Sequence, residues 1–485
     1  MKLYLKGHTD RYAVEQLQLA LFPEEPMEPM DVPFTGDGAV SALYAGKKWI
    51  TAVTTLTVEG RTVRVSRRLS VDKADVPARR RLLQNTYYEA AMAFLPAPPW
   101  GSLSGVRPTK LTTRHLLAGH SEKETEMLMG EQYHVSPERI RLAMECSRAS
   151  VSAVEKLRED DICLYVGIPF CPTRCSYCSF VSSDIAACAH LLKPYLEALK
   201  QEIAYVGKLV KESGKKIRAL YIGGGTPTTL SPKQLKELME ELRCHFDLTE
   251  LIEYTVEGGR PDTLNYEKLR GLREAGCDRM SINPQTMNDA VLAKVGRRHS
   301  TAQTLKAYEA AVEAGFEGIN MDLIAGLPGD TAESFADSLD RVVKLNPSNI
   351  TVHTLAIKKG ADLFFDREEL PEAETVAQML RHTEQTLRAA GYVPYYLYRQ
   401  KYMSGSFENV GWCKPGYEGW YNIYMMEELC SIVSLGGGGM TKINLPGGKL
   451  ERFHNPKFPQ QYLQMQEEIR KQKQDAFALM NCLMA

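Results

Sequence analysis

The apolar positions fall into two rhythms that change near residue 160. In the first stretch, runs rich in Val and Thr predict strands at Lys2–Lys6, Ala39–Tyr44, Trp49–Val58 and Thr62–Leu69. Helical spacing follows the first strand to Leu21, and returns over about Ala74–Phe94. An acidic, Pro-rich loop runs through Pro33, and Pro96-Ala-Pro-Pro-Trp-Gly breaks the second helix. Further helical patterns cover Thr109–Ala118, Glu122–Gln132 and Pro137–Leu157. Residues 1–155 therefore read as an N-terminal accessory domain of mixed α/β type.

From Asp161 short apolar strands alternate with amphipathic helices. The strands are Ile162–Ile168, Ala219–Ile222, Ile252–Val256, Arg279–Asn283, Gly318–Ala325 and Ile350–Leu355. Helices are expected near 190–210, 231–246, 262–275, 301–314 and 331–345. Six such units imply right-handed crossovers and a parallel sheet, a partial (β/α)6 TIM-type barrel over residues 156–360. Chemistry in such barrels sits where strands end and loops begin. After Ala361 the rhythm weakens, with a helix near Glu372–Ala390 and then a stretch, 392–424, holding 11 aromatics in 33 residues. Residues 361–485 read as a C-terminal cap.

Composition narrows the class. At 485 residues, 44% hydrophobic and 25% charged, the chain is globular and long enough for two or three domains. A net charge of −1 gives no global field favouring nucleic acid or membrane, and neither is expected as a partner. The start, Met1-Lys-Leu-Tyr-Leu-Lys-Gly, lacks the apolar run of a signal peptide, so a cytoplasmic location is expected. The last four residues, beginning at Cys482, fit a prenylation signal only formally, since no polybasic stretch lies just upstream. Eleven cysteines, scattered except for one group, argue for reduced thiols and a single metal site.

That group is Cys171-Pro-Thr-Arg-Cys175-Ser-Tyr-Cys178, directly after the first barrel strand. Zinc would want a fourth ligand, commonly from a second Cys or His pair, and no such pair is present. Iron–sulfur clusters take Cys thiolates, and three ligands on a four-iron cluster leave one iron open for chemistry. One βα unit later, Tyr221-Ile-Gly-Gly-Gly-Thr-Pro-Thr228 ends the second strand. Its glycines allow close backbone approach to a ligand, although a tight strand-to-helix turn would also explain them.

The spacing CxxxCxxC on this loop resembles the radical S-adenosylmethionine superfamily. Its flanks narrow the likeness: Tyr165-Val-Gly-Ile-Pro-Phe-Cys171, the Gly-rich loop, Arg279-Met-Ser-Ile-Asn-Pro-Gln285 and Asp322-Leu-Ile-Ala-Gly-Leu-Pro328. In this order they resemble the oxygen-independent coproporphyrinogen III oxidase-like (HemN-like) family over about residues 160–445. The runs Pro96–Lys110 and Tyr396–Tyr402 look like its HemZ-type branch.

The resemblance implies a [4Fe–4S] cluster on Cys171, Cys175 and Cys178 and S-adenosylmethionine on the open iron. It puts Tyr165, Gly224 and Glu257 on the cluster-bound nucleotide, Glu257 at the ribose. It implies a second S-adenosylmethionine at Tyr177, Gly225, Thr226, Gln285, Arg297, Asp322, Ala356 and Met440. Asp322 and Gln285 can also be read as satisfied polar groups at strand ends, and Arg297 as a surface partner of nearby helices. Three departures stand out. The founding oxidases carry a fourth cysteine where this chain has Phe180; the helical tail after the cap looks cut short; residues 1–155 lie outside the core pattern.

Further signals are weaker. Arg399, Lys401 and Lys414, with the aromatics of 392–424, can face a flat tetrapyrrole or simply pack a cap. Arg61, Arg64, Arg67, Arg68, Lys73 and Arg79–Arg81 form a basic patch, read as a solvated face rather than an RNA site. His353 ends the sixth strand and can approach the site or be a core histidine; Cys413 and Cys430 read as buried thiols.

The leading expectation is oxidative decarboxylation of coproporphyrinogen III to protoporphyrinogen IX. Its partners would be that tetrapyrrole, or heme, and a low-potential electron donor such as flavodoxin or ferredoxin. The alternatives are a heme chaperone, as Phe180 suggests, and a radical methyltransferase acting on heme or RNA.

Overall fold

The computed structural model describes every residue except 24, 26, 180–182, 358–360, 362, 364–369, 401–406 and 483–485. Phe180 and Lys401 thus lie outside the described residues. The chain divides into two compact units, at Glu145–Cys146 within the helix Pro137–Glu155. The first holds Met1–Glu145 with Arg399 and Gln400; the second holds Cys146–Tyr398 and the chain from Phe407.

In the first unit, β1 (Lys2–Lys6), β2 (Glu28–Met30), β3 (Gly38–Ala45), β4 (Trp49–Val58) and β5 (Arg61–Ser70) form one sheet, ordered β2-β1-β3-β4-β5. Period-two alternation splits it into two faces. Leu3, Ala39, Ala52 and Leu56 point to one side and share a core with Val14, Leu17, Leu83 and Tyr87. Those last four come from the helices Arg11–Leu21 and Val76–Ala91, which Asp10 and Asp75 cap by accepting from Ala13 N and Ala78 N.

The second unit is built on β6 (Asp161–Ile168), β9 (Lys216–Gly224), β10 (Glu253–Gly259), β11 (Arg279–Ile282), β12 (Gly318–Ala325) and β13 (Asn349–Thr354). These six are parallel and adjacent in chain order. Two short strands, β7 (Phe170–Cys171) and β8 (Ser183–Asp184), pair beside them. Helices at Ala189–Glu212, Pro232–His245, Tyr266–Glu274, Thr301–Glu313 and Ala332–Leu345 make the crossovers. Capping boxes at Ser231/Gln234 and Ser300/Gln303 set two of the starts. This is the partial (β/α)6 barrel expected from the alternating pattern.

The C-terminal stretch adds strands to both edges of that sheet. On one side β15 (Glu408–Cys413) pairs antiparallel with β13, and β14 (Val393–Arg399) lies beyond it. On the other, β16 (Ser431–Gly436) runs parallel to β6 and is followed by β17 (Met440–Leu445) and β18 (Lys449–His454). The first residues of β10, β11 and β13 close the N-terminal end of the barrel. Arg279 donates to Asn349 Oδ1 (2.9 Å) and to the Tyr417 carbonyl (3.1 Å), and Glu253 accepts from Tyr421 N (3.3 Å). Among the described residues, no helix is long and apolar enough to cross a membrane.

A helix at Gln466–Cys482 follows the sheet and packs on Ala189–Glu212. Its Lys473 is fully buried and donates to Asn455 Oδ1 (3.0 Å) and Thr441 Oγ1 (3.2 Å), 3.5 Å from Glu202. Glu202 also accepts from Gly436 N (2.8 Å), Tyr462 OH (2.6 Å) and Asn455 Nδ2 (2.9 Å). Removing one partner of such a buried pair leaves an uncompensated charge, typically about 3–5 kcal/mol. Glu202→Ala should therefore lower unfolding free energy in urea by about that much. Glu202→Leu with Lys473→Met should recover most of the loss.

Candidate functional site

The loop that carries the cysteines leaves β7 and is pinned at several points. Cys171 O accepts from Ile185 N (2.9 Å), Cys178 N donates to Cys175 O (3.0 Å), and Ser176 N donates to Val295 O (3.1 Å). Tyr177, between the second and third cysteines, packs on Val291, Val295, Ile324, Leu327 and Leu355. Its hydroxyl accepts from Arg297 Nε (3.0 Å), and Arg297 Nη1 donates to the Asn283 carbonyl (2.6 Å). Burial opposes the charge on Arg297, but Tyr177 and the Cys175 thiol outweigh it, so its pKa lies above the ordinary value. Arg297 is thus a buried partner of the cysteine loop, not a surface residue.

The Gly-rich turn at the end of β9 closes against this loop. A side chain at Gly225 would stand 2.6 Å from Phe170 O and 3.0 Å from Cys171 Sγ, and one at Gly223 would stand 2.8 Å from Glu257 Oε2. Only glycine lets β9 end here. Thr226, buried next in line, donates its backbone N–H to Phe170 O (2.7 Å) and its hydroxyl to Cys171 Sγ (3.4 Å).

Glu257, near the end of β10, accepts from Tyr221 OH (2.6 Å) and from Gly224 N (3.1 Å). Burial, reinforced by the negative charge of Asp322, pushes its carboxyl up to about 7 despite these bonds. A carboxylate can accept about four bonds, so Glu257 keeps capacity for a ligand's hydroxyls. Tyr165 on β6 stacks in one group with Tyr221 and Tyr421, at centroid distances of 6.2 and 6.5 Å.

Beyond β11, Gln285 holds φ +69°, in the left-handed region, with its N–H on Asp322 O (2.9 Å) and its carbonyl on Ile324 N (2.9 Å). Its Oε1, like Ser281 Oγ and Asn283 Oδ1, is buried without a hydrogen-bond partner. These three acceptors are available to a hydrogen-bond donor. Asp322 Oδ1 accepts from Asn320 Nδ2 (2.7 Å), while Oδ2 lies 3.6 Å from His353 Nε2. The other ring nitrogen of His353 is 3.3 Å from Tyr398 OH. His353 therefore faces the barrel interior. Ala356 follows β13 by two residues. Met440 opens β17 just after the Gly436–Gly439 turn, whose Gly437 carbonyl abuts Gly167 of β6.

The structure thus brings Cys171, Gly225 and Thr226 together, and Gly224 with Glu257. It also joins Cys175, Tyr177 and Arg297, and links Gln285 to Asp322. Sequence reasoning missed Arg260, which donates to Thr173 of the cysteine loop (2.9 Å) and pairs with Asp262 (3.0 Å). Its place after β10 was the available signal. It also missed Tyr421, whose tyrosine partners come from distant strands.

Of the two readings of the aromatic stretch 392–424, the described residues favour the packed cap: Tyr392, Tyr395, Tyr396, Trp412, Tyr421 and Tyr424 are all buried core. Arg399 donates to the Leu103 carbonyl (2.7 Å) and lies over Trp100, and Lys414 donates to the Asn346 carbonyl (3.2 Å). Burying large rings against the sheet outweighs leaving them exposed, at about 1.5–3 kcal/mol for a ring the size of Phe. Cys413 and Cys430 are buried thiols, as expected.

Among the described residues, no three His, Cys, Asp or Glu side chains stand close enough to hold a metal ion. A cluster asks for something different: cysteine thiols on one loop and backbone close to them. Cys171, Cys175 and Cys178 are outside any disulfide, and Gly225 supplies that close approach, so the donor set fits a [4Fe–4S] cluster.

Comparison with known proteins agrees with this geometry. Residues 165–342 match the family model described as the Radical SAM superfamily. The oxygen-independent coproporphyrinogen-III oxidase-like protein HemZ of Bacillus subtilis (strain 168) is 40% identical over 75% of this chain and 74% of its own length. The heme chaperone HemW of Haemophilus influenzae is 30% identical over 62% of this chain and 75% of its own. The solved structure of coproporphyrinogen III oxidase (HemN) from Escherichia coli superposes with a TM-score of 0.53 and 26% identity, covering 68% of this chain and 78% of that one.

Two outcomes test the site. Gly225→Ala should reduce the iron retained after anaerobic reconstitution severalfold while circular dichroism stays unchanged. Glu257→Gln should stabilise the cofactor-free protein at pH 8 but not at pH 5. With the folded pKa raised, the carboxyl's contribution is fully present below about pH 4.5 and is lost as pH rises through about 7. Thermal unfolding at the two pH values reads this directly.

Proposed function

The chain belongs to the oxygen-independent coproporphyrinogen III oxidase-like family of the radical SAM superfamily, and on that premise we propose that it decarboxylates coproporphyrinogen III to protoporphyrinogen IX. The family's cofactors are a [4Fe–4S] cluster and S-adenosylmethionine, which when bound supply a radical able to abstract hydrogen. Each turnover removes one hydrogen atom from a propionate β-carbon, releases CO2 and passes one electron to an acceptor, and two turnovers make two vinyl groups. A low-potential donor such as flavodoxin or ferredoxin supplies the reducing electron.

The chain's own residues take defined parts in this reading. Cys171, Cys175 and Cys178 hold the cluster, and Tyr177 with Arg297 keeps their loop fixed. Glu257 takes ribose hydroxyls, with Tyr165 and Gly224 beside it. Gly225, Thr226, Gln285, Arg297 and Asp322, with Tyr177, Ala356 and Met440, form the place for a second S-adenosylmethionine. The observation that carries the proposal is the convergence of the strand ends on the cysteine loop, through Thr226 on Cys171, Gly224 on Glu257, and Arg297 on Tyr177 and Asn283. It is supported by similarity over three quarters of the chain to an oxidase-like relative.

A heme-delivery role is favoured by one feature, Phe180 in place of a fourth cysteine, together with the HemW relatives. Anaerobic incubation with coproporphyrinogen III, a strong reductant and S-adenosylmethionine, read by mass, separates the two. Successive loss of one and then two CO2 is the expected result. Intact cluster, no decarboxylation and tight heme binding would replace the oxidase reading with the chaperone one; methyl transfer to heme would replace it with a methyltransferase.

A further inference from the structure

The sheet of the first unit has one face covered by two helices and one that is open. Strands β1, β3, β4 and β5 carry six cations and not a single Asp or Glu. Folding sorts the basic patch of the sequence into two groups. Arg67 pairs with Glu89 (2.9 Å), Arg80 with Asp10 (2.9 Å), and Arg79 donates to the Ala74 carbonyl (2.7 Å), so these three serve the helical side. Arg64 and Arg68 point the other way, with no ion-pair partner among the described residues.

On that open face the register places Tyr44, Thr51 and Arg68 in one row across β3, β4 and β5, with Trp49 diagonal to Arg68. Tyr44 and Trp49 are 47% and 44% exposed, two rings on one face of one sheet. The Arg68 guanidinium lies 4.6 Å from the Trp49 ring centre, and Lys6 Nζ lies 5.9 Å from that of Tyr44. Lys47 and Lys48, in the β3–β4 turn, extend the charge at the same end. The nearest carboxylate past β5, Asp72, is bonded by the Ser70 hydroxyl (2.6 Å), and Glu28 sits at the far edge opposite Lys2.

We propose that this face binds single-stranded nucleic acid, the bases stacking on Trp49 and Tyr44 and the phosphates meeting Lys6, Lys47, Lys48 and Arg68. A flat surface of cations interleaved with exposed rings is the arrangement that takes unpaired bases without reading their sequence. An acidic protein would satisfy the charge but gives the two rings nothing to stack on. The site is independent of the tetrapyrrole chemistry, and takes only Arg68 from the basic patch of the sequence.

The test uses the full-length protein and fluorescein-labelled, mixed-sequence 20-nucleotide RNA and DNA strands, followed by anisotropy. With about four phosphates neutralised, affinity should fall on the order of fifty-fold between 50 and 200 mM salt. Trp49→Ala should weaken binding about tenfold, and Arg68→Glu further, with unchanged circular dichroism and iron content. Lys233→Ala, on an exposed helix of the second unit, should change nothing. Binding of either strand supports the proposal, and a preference for one of them identifies the source. No binding at 50 mM salt overturns it. So does equal capture of a polyglutamate peptide insensitive to Trp49→Ala, which would mark a docking face for acidic proteins.

Discussion

The contact on which the site depends is backbone against thiol: Gly225, at the end of β9, lies on the Phe170 carbonyl and Cys171 Sγ. It is possible because β6 and β9 pair in a register that sets Ile168 beside Gly224, so both strands end at one level. A methyl group there would have to move either the cysteine loop or the end of β9. Moving the latter would carry with it Thr226, which bonds Cys171, and Gly224, which bonds Glu257. The parallel sheet thus acts on the chemistry through one sterically closed junction. Tyr177, wedged among five aliphatic side chains, anchors the same loop from the other side.

Electrostatics at the junction is arranged at a cost. Glu257 is buried within the field of Asp322, and burial dominates, which is why its carboxyl titrates near 7. A polar group left short of partners destabilises the empty protein and favours whatever supplies hydrogen bonds. The unpaired oxygens of Gln285 and Asn283, and the positive φ of Gln285, fit the same logic. At Gln285 a left-handed backbone and an unpaired amide oxygen coincide.

How much of this was legible in the sequence follows from the range of the interactions. The six barrel strands and their helices could be read because local periodicity and caps specify them. The cysteine loop and the glycines stood out because their chemistry constrains spacing over a few residues. Strands β14 to β18 escaped notice. They join the sheet at its two edges, through partners up to about 270 residues away in sequence, such as Ser431 beside Ile162. The same holds for Arg260 on Thr173 and for the buried Lys473 beside Glu202, pairs that no local pattern announces. The aromatic stretch shows the limit of composition: tyrosines suited to a flat ligand are equally suited to a core, and packing decided for the core.

That decision reshapes where a tetrapyrrole could lie. With Tyr395, Tyr396 and Tyr421 committed to packing, the polar groups facing the interior near the cofactor residues include Asp322, His353 and Tyr398. They form a row in which the imidazole stands between a carboxylate and a phenol, each within 3.6 Å of one ring nitrogen. Such a row can donate or accept at a carboxyl or pyrrole group. It is a set of hydrogen-bonding and charged groups, whereas the open sheet face of the first unit sets exposed rings among cations.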